Sequence, residues 1–259
     1  MFFHRRRRRK LLSTPLDPTQ RALLHAVAPL CAVLPQDLRP GHEGITQLLL
    51  HEKTFEGAAG LELTEAMRLA IAGQAAMLQL RRDADFYPGL DTILVYPEAF
   101  VAPLEEYDED GLLHADPEAR AGESWQKGAV VLSWADVDLE STQQNGYNVV
   151  LHEFAHQLDD QTGTGDGSPL LHSSDQADRW ARGFQGAFEQ HEQALKHHRE
   201  VLFDDNAADS PSEFFATAVE LFFEVPNDLE LAFPTVYLLL KEYLELDPAR
   251  WRHSPRNQR

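Results

Sequence analysis

A single cysteine, Cys31, stands in the whole sequence, so no intramolecular disulfide can form and a small disulfide-stapled secreted fold is excluded. It lies in APLCAVLP, an apolar segment where a free thiol packs as a small hydrophobe instead of serving as a nucleophile. Long apolar runs are also missing. No stretch reaches the roughly 18 residues of a membrane span. The segment LLSTPLDPTQRALLHAV, broken by two prolines, an aspartate and an arginine, makes a poor export signal. A soluble, cytoplasmic protein is the expectation.

Positive charge is scarce as well, with 23 basic against 42 acidic residues and a net charge of −19. Six of those 23 sit together at Arg5 to Lys10, which leaves 17 against 42, a balance of −25 for the remainder. Such a body repels nucleic acid and anionic lipid, so neither is an expected partner. The run HRRRRRKLL is the exception. It reads as a solvated, disordered tail, with contact to an acidic partner or a membrane surface as the second reading. What the chain has in ordinary supply is apolar content: 43% hydrophobic and 9% aromatic residues, over a length of 259 that suffices for a full core.

Periodicity and turn residues give an α+β arrangement. Residues 18 to 56 read as two helices broken at Pro35 and Pro40, and residues 63 to 82 as a helix capped by Thr64. DTILVYPEAFV and GAVVLSWADV read as strands near 92 to 96 and 129 to 134, with an acidic, turn-rich hairpin or loop at 103 to 124 between them. From 145 onward the pattern is helical, interrupted at TGTGDGSP and LFDDNAADSP. The expected organisation is a basic disordered tail at 1–17, an amino-terminal helical segment at 18–60 packed on the core, and a catalytic domain at 61–252.

The chemistry concentrates in NVVLHEFAHQLDD, residues 148 to 160. On a helix, residues four apart share a face, so His152 and His156 can present two imidazoles to one ion, with Glu153 placed to reach a water held there. Such a pattern arises by chance in about one sequence in twenty of this composition, so a third ligand is required. DSPSEFFATAVELFFEVP offers it: Ser210 or Asp209 caps a helix started by Pro211, and Glu213 and Glu220 break its apolar pattern two turns apart. An acid in the first turn can also be a charge complementing the helix dipole, which applies to Glu213 and not to Glu220.

These segments, with ILVYPEAFV, GESWQKGAVVLSWADV and FPTVYLLLKEYLELDP, resemble in order the Mlc titration factor A family of zinc-dependent peptidases, over most of residues 60 to 250. The family is zincin-like, similar to the catalytic domain of anthrax lethal factor. The resemblance implies a small sheet, an active-site helix carrying HExxH and a largely helical carboxy-terminal half. It implies one zinc per chain held by His152, His156 and Glu213, with Glu153 as general base. It further implies aminopeptidase-like cleavage of short peptides and, in some members, binding of a transcriptional repressor of sugar uptake.

Where family members tend to have a tyrosine, seven residues before the glutamate ligand, this chain has Asn206, whose amide is a candidate oxyanion donor of shorter reach. Asp159 and Asp160 are candidate acceptors behind the ligand imidazoles. Glu220 is a candidate for that role or for holding a substrate ammonium. The alternative to an enzyme is a regulatory binding module with a vestigial zinc site. His191, His197 and His198 lie on a charged amphipathic helix and read as solvated; His172 either lines the cleft or faces solvent; Trp125 and Trp134 read as core or cleft wall.

Overall fold

The computed structural model describes residues 2–82, 86–102, 106–107, 113–114, 118–120, 122–125 and 128–251. In chain order the elements are α1 (Phe2–Leu12), α2 (Pro18–Val27), α3 (Arg39–Glu52), β1 (Thr54–Gly57), α4 (Glu65–Met77), β2 (Thr92–Tyr96), β3 (Phe100–Ala102), β4 (Glu106–Tyr107), β5 (Leu113–His114), β6 (Glu118–Arg120), β7 (Gly122–Trp125), β8 (Ala129–Ser133), α5 (Trp134–Gln143), α6 (Val149–Asp159), α7 (Ser174–Lys196), α8 (Pro211–Glu224), α9 (Pro226–Ala232) and α10 (Pro234–Leu244). Helix dominates around one small sheet, an α+β protein as expected.

That sheet runs in the order β1-β2-β8-β7. The first three strands are parallel, with Thr54 opposite Thr92 and Thr92 opposite Ala129. The edge strand β7 is antiparallel to β8, with Gly122 opposite Leu132. The parallel strands β2 and β8 are β-branched and leucine-rich, and Ile93, Val95, Val130 and Leu132 are all buried. Two short antiparallel pairs, β3 with β6 and β4 with β5, fall within the acidic segment between β2 and β8. Residues 103–105, 108–112, 115–117, 121 and 126–127, and Trp125 as a side chain, lie outside the described residues.

Three elements differ from the sequence reading. TFEG forms β1 instead of ending a helix, so the 18–60 segment contributes a strand to the sheet. WADVDLESTQ forms α5, because the Ser133 hydroxyl accepts from Asp136 N and turns the end of strand β8 directly into a helix. The helix from Thr64 ends at Met77, five residues short of the expected end.

The amino-terminal run also departs from expectation. It is helix α1 and not a disordered tail, and it packs on α3. Leu11 and Leu12 rest against the core, and Arg8 reaches Glu52 at 3.1 Å. Backbone contact explains the fit: a Cβ on Gly44 of α3 would lie 2.1 Å from the Leu12 carbonyl oxygen, so only glycine admits α1 there.

Candidate metal centre

Helix α6 starts at Asn148, whose side-chain oxygen accepts from Leu151 N at 3.1 Å. Val150, Leu151, Phe154, Ala155 and Leu158 are fully buried, which fixes the helix's rotation and leaves His152 and His156 half-buried on the opposite stripe. Helix α8 packs against it. Its cap is Ser210, accepting from Glu213 N at 3.1 Å, with Pro211 in the first turn.

The two helices bring His152, His156 and Glu213 together, with one ligand atom from each lying within 4.8 Å of the others. The two Nε2 atoms are 3.2 Å apart; Glu213 Oε2 is 3.1 Å from His152 Nε2, and Glu213 Oε1 is 3.3 Å from His156 Nε2. A tetrahedral ion with bonds of about 2.0–2.1 Å spaces its donors about 3.4 Å apart, so this triangle has the right size.

Groups behind the imidazoles set their tautomers. His152 Nδ1 donates to Glu220 Oε1 at 2.7 Å. Ser212 donates its hydroxyl to Asp159 Oδ2 at 2.9 Å, so its oxygen accepts from His156 Nδ1 at 3.1 Å. With both Nδ1 atoms protonated, both Nε2 lone pairs face the Glu213 carboxylate. As long as neither Nε2 is protonated, three acceptors converge, an arrangement that either a shared proton or a metal cation stabilises.

A proton can take a cation's place in this cluster. Burial acts to lower the His152 pKa, but the Glu220 charge and hydrogen bonds to Glu213 and Glu220 outweigh it and hold it well above the ordinary value. Burial acts to raise the Glu213 carboxyl, yet its hydrogen bonds to the two histidines bring it far below the usual carboxylate range. Burial pushes Glu153 up to about 7 against the pull of both histidines, and its Oε2 is buried with no hydrogen-bond partner among the described residues.

A second layer of buried polar groups anchors this arrangement. Asn148 N donates to Glu220 Oε2 at 2.5 Å, and Asn148 Nδ2 donates to Gln74 Oε1 at 2.6 Å and Glu224 Oε1 at 2.9 Å. Gln74 in turn donates to Ser141 Oγ at 2.8 Å, and Val149 N donates to Glu140 Oε2 at 2.6 Å. Sequence reasoning missed Asn148, Gln74, Ser212 and Glu224. Only Asn148, an asparagine before an apolar run, carried a recognisable cap signal.

Several expected residues land elsewhere. Both Glu220 oxygens are engaged, so it is not free to hold a substrate ammonium; it supports His152 instead. Asp159 is fully buried, and it reaches His156 through the Ser212 hydroxyl and not directly. Its Oδ2 also accepts from Gly167 N at 2.7 Å. Asp160 is half-buried at the helix end. Asn206 is exposed on the 3-10 turn Asp205–Ala208, and its amide makes no hydrogen bond among the described residues.

His191 is buried, contrary to expectation, because α7 turns it onto Phe203 and Phe214, with Nε2 donating to Asp204 O at 3.0 Å. His172, His197 and His198 are exposed. Trp134 packs against the core. Cys31 is buried beside Met77, and burial pushes its thiol pKa up, as a packing residue requires.

With this geometry in place the comparisons acquire meaning. A family model described as glucose-regulated metallo-peptidase M90 matches residues 2–245. The chain belongs to this family. An M90 assignment means a metallopeptidase family and a metal ion, and the match extends through the amino-terminal helices that the motif resemblance did not reach. An uncharacterized protein of Synechocystis sp. is 37% identical over 245 residues, 93% of this chain and 89% of its own length. Mlc titration factor A of Serratia proteamaculans is 34% identical over 203 residues, 77% of each chain. The Yersinia pestis protein of that name is 32% identical over 233 residues, 87% of this chain and 86% of its own. No described helix is long and apolar enough to cross a membrane.

Proposed function

We propose that this chain is a zincin-like, zinc-dependent peptidase with aminopeptidase preference, in which His152, His156 and Glu213 hold one zinc ion and Glu153 is the general base. The observation that carries the reading is the convergence of His152, His156 and Glu213, whose ligand atoms lie within 4.8 Å of one another while both Nδ1 atoms are engaged from behind, so that each Nε2 is the atom left to meet an ion. Two nitrogens and a carboxylate form a borderline-soft donor set that suits zinc. The chemistry zinc supplies when bound is Lewis acidity, which acidifies water and polarises a carbonyl.

The chain's own residues do the rest. Glu220 and the Ser212–Asp159 pair keep the imidazoles aimed inward. Glu153, raised to about 7 by burial, is matched to proton transfer near neutrality. Its unpartnered oxygen accepts a proton from the attacking water and returns it to the leaving amine. A peptide substrate is supported by β7, an edge strand of the sheet among the described residues, which contacts α6 and offers a template for an extended chain.

Release of nitroaniline from aminoacyl and blocked peptidyl nitroanilides tests this, comparing the parent with Glu153→Gln at equal zinc content. Turnover by the parent alone, favouring unblocked substrates, is expected. Equal turnover by both proteins removes Glu153 as base, and no turnover from the zinc-loaded parent overturns the peptidase reading.

A second reading rests on the relatives named Mlc titration factor A. Under it the chain binds a transcriptional repressor, and its site is regulatory. Retention of repressor binding by the inactive Glu153→Gln protein, alongside an inactive parent, is the outcome that favours it.

A further inference from the structure

The amino-terminal helix does nothing for the metal centre, yet it holds an arrangement of charge that is unfavourable unless something outside the chain relieves it. In α1, Arg5, Arg6, Arg7, Arg9 and Lys10 are exposed. Pairs such as Arg5 with Arg9 and Arg6 with Lys10 stand four apart, where like charges on a helix repel. The first turn contains no acidic residue, so the charges nearest the amino terminus also oppose the helix dipole. Among the described residues none of these five side chains has an ion-pair partner, although the rest of the chain carries an excess of 25 acids over bases. Only Arg8 turns inward, to Glu52 at 3.1 Å and over the Phe86 ring at 5.7 Å.

The helix nonetheless sits on a fixed platform. Gly44 admits its carboxy-terminal end, Leu11 and Leu12 join the core, and the Ser13 and Thr14 hydroxyls donate to the Lys10 carbonyl at 2.9 and 2.7 Å. Just beyond, Leu16 N donates to Glu43 at 3.0 Å, a residue that also binds Arg21. Four of the five free cations, with Ser13, line a shallow recess of about 630 Å³. The positive charge is thus presented at one place by a folded element, on a chain whose remainder carries an excess of 25 acids.

We propose that α1 is a docking element for an anionic phospholipid surface. Lipid headgroups and nucleic acids share phosphate chemistry, and the vesicle experiment below separates them. Leu11 and Leu12 are taken up by the core, so what the helix offers outward is its cations. A compact cluster of four to eight cations at one exposed place suits a charged bilayer face, and competition by a duplex is an outcome of the test.

Cosedimentation of the full chain with vesicles tests this at low salt. Binding is expected to vesicles of equal phosphatidylglycerol and phosphatidylcholine, not to phosphatidylcholine alone, and to vanish in 0.5 M salt, where screening is about 4 Å or less. Replacing Arg5, Arg6, Arg7 and Arg9 together by Gln should weaken it about 1,000-fold, and by Lys should preserve it. Should the fourfold Gln protein not fold, the pair Arg5→Gln and Arg6→Gln is expected to show about a thirtyfold loss. Equal partition into both vesicle types, no binding, indifference of the Gln variants, or displacement from vesicles by a 20-base-pair duplex each overturns the proposal.

Discussion

One face of α8 buries Phe214 and Phe215 in an aromatic cluster, with Phe214 stacked on Phe203 at 4.3 Å and Phe215 edge-on to Trp180 at 5.8 Å. The stripe formed by Glu213, Thr217, Glu220 and Glu224 carries acids instead, and the last two are buried against His152 and Asn148. Burial on the aromatic face stabilises the fold at little electrostatic expense. On the carboxylate stripe burial is unfavourable, and it raises the pKa of Glu220 and, to about 8, of Glu224. A single helix therefore joins a region built for stability to one whose strained charges point at a ligand site.

Substitutions on the two faces, and on Glu153 opposite them, should separate these roles. The largest effect is expected from Glu153→Gln: about 10³-fold to 10⁴-fold slower hydrolysis with zinc stoichiometry unchanged by atomic absorption. Next, Phe214→Ala should lower stability by about 3–5 kcal/mol in denaturant titrations. At temperatures where the protein stays folded, its zinc affinity should be that of the parent. Failure of that separation would mean the faces are coupled. Glu220→Gln should reverse the pattern, weakening zinc about 10-fold to 100-fold in chelator competition with a small change in melting temperature.

The pH dependence sharpens the contrast further. Because Glu224 has a folded pKa of about 8, above its ordinary 4.5, the stability it contributes is full below about 4.5 and is lost as pH rises through about 8. Glu224→Gln mimics the protonated acid and should raise stability at pH 8 by about 2 kcal/mol, an allowance below the full shift. It should also flatten the fall in melting temperature between pH 5 and 8. The slope should not vanish, since Glu140 and Glu153, both near 7, act in the same direction. The smallest effect is expected for Ser212→Ala, a few-fold loss of zinc affinity, because it removes only a relay between Asp159 and His156.

Much of this was legible before any coordinates. The i, i+4 histidines, the Ser210 cap and the spacing of Glu213 and Glu220 on α8 are local patterns, and local patterns survive in sequence. The family match adds identity, not geometry. What stayed hidden depends on contacts far apart in the chain. Gln74 meets Asn148 across 74 positions, and nothing in the composition near either residue announces the other. Thr54–Gly57 is a strand only because β2 lies beside it, and its four residues are too few for an alternation to register. The arginine run looked disordered because charge patterning weighs the helix alone and ignores the glycine that lets it land.

Gly167 carries a similar lesson about tolerance. Its φ is +77°, and a Cβ there would lie 2.4 Å from the Pro211 carbonyl oxygen, while its own N–H holds Asp159 and its carbonyl accepts from Trp180 Nε1 at 2.9 Å. One residue with no side chain thus ties a core tryptophan, the end of the histidine helix and the start of the glutamate helix into one backbone crossing. The separation of the metal-facing groups is thereby gauged by main chain in contact with main chain. Drift among the aromatic residues can alter how firmly the protein folds without altering that gauge, whereas a single added methyl at position 167 would reset it.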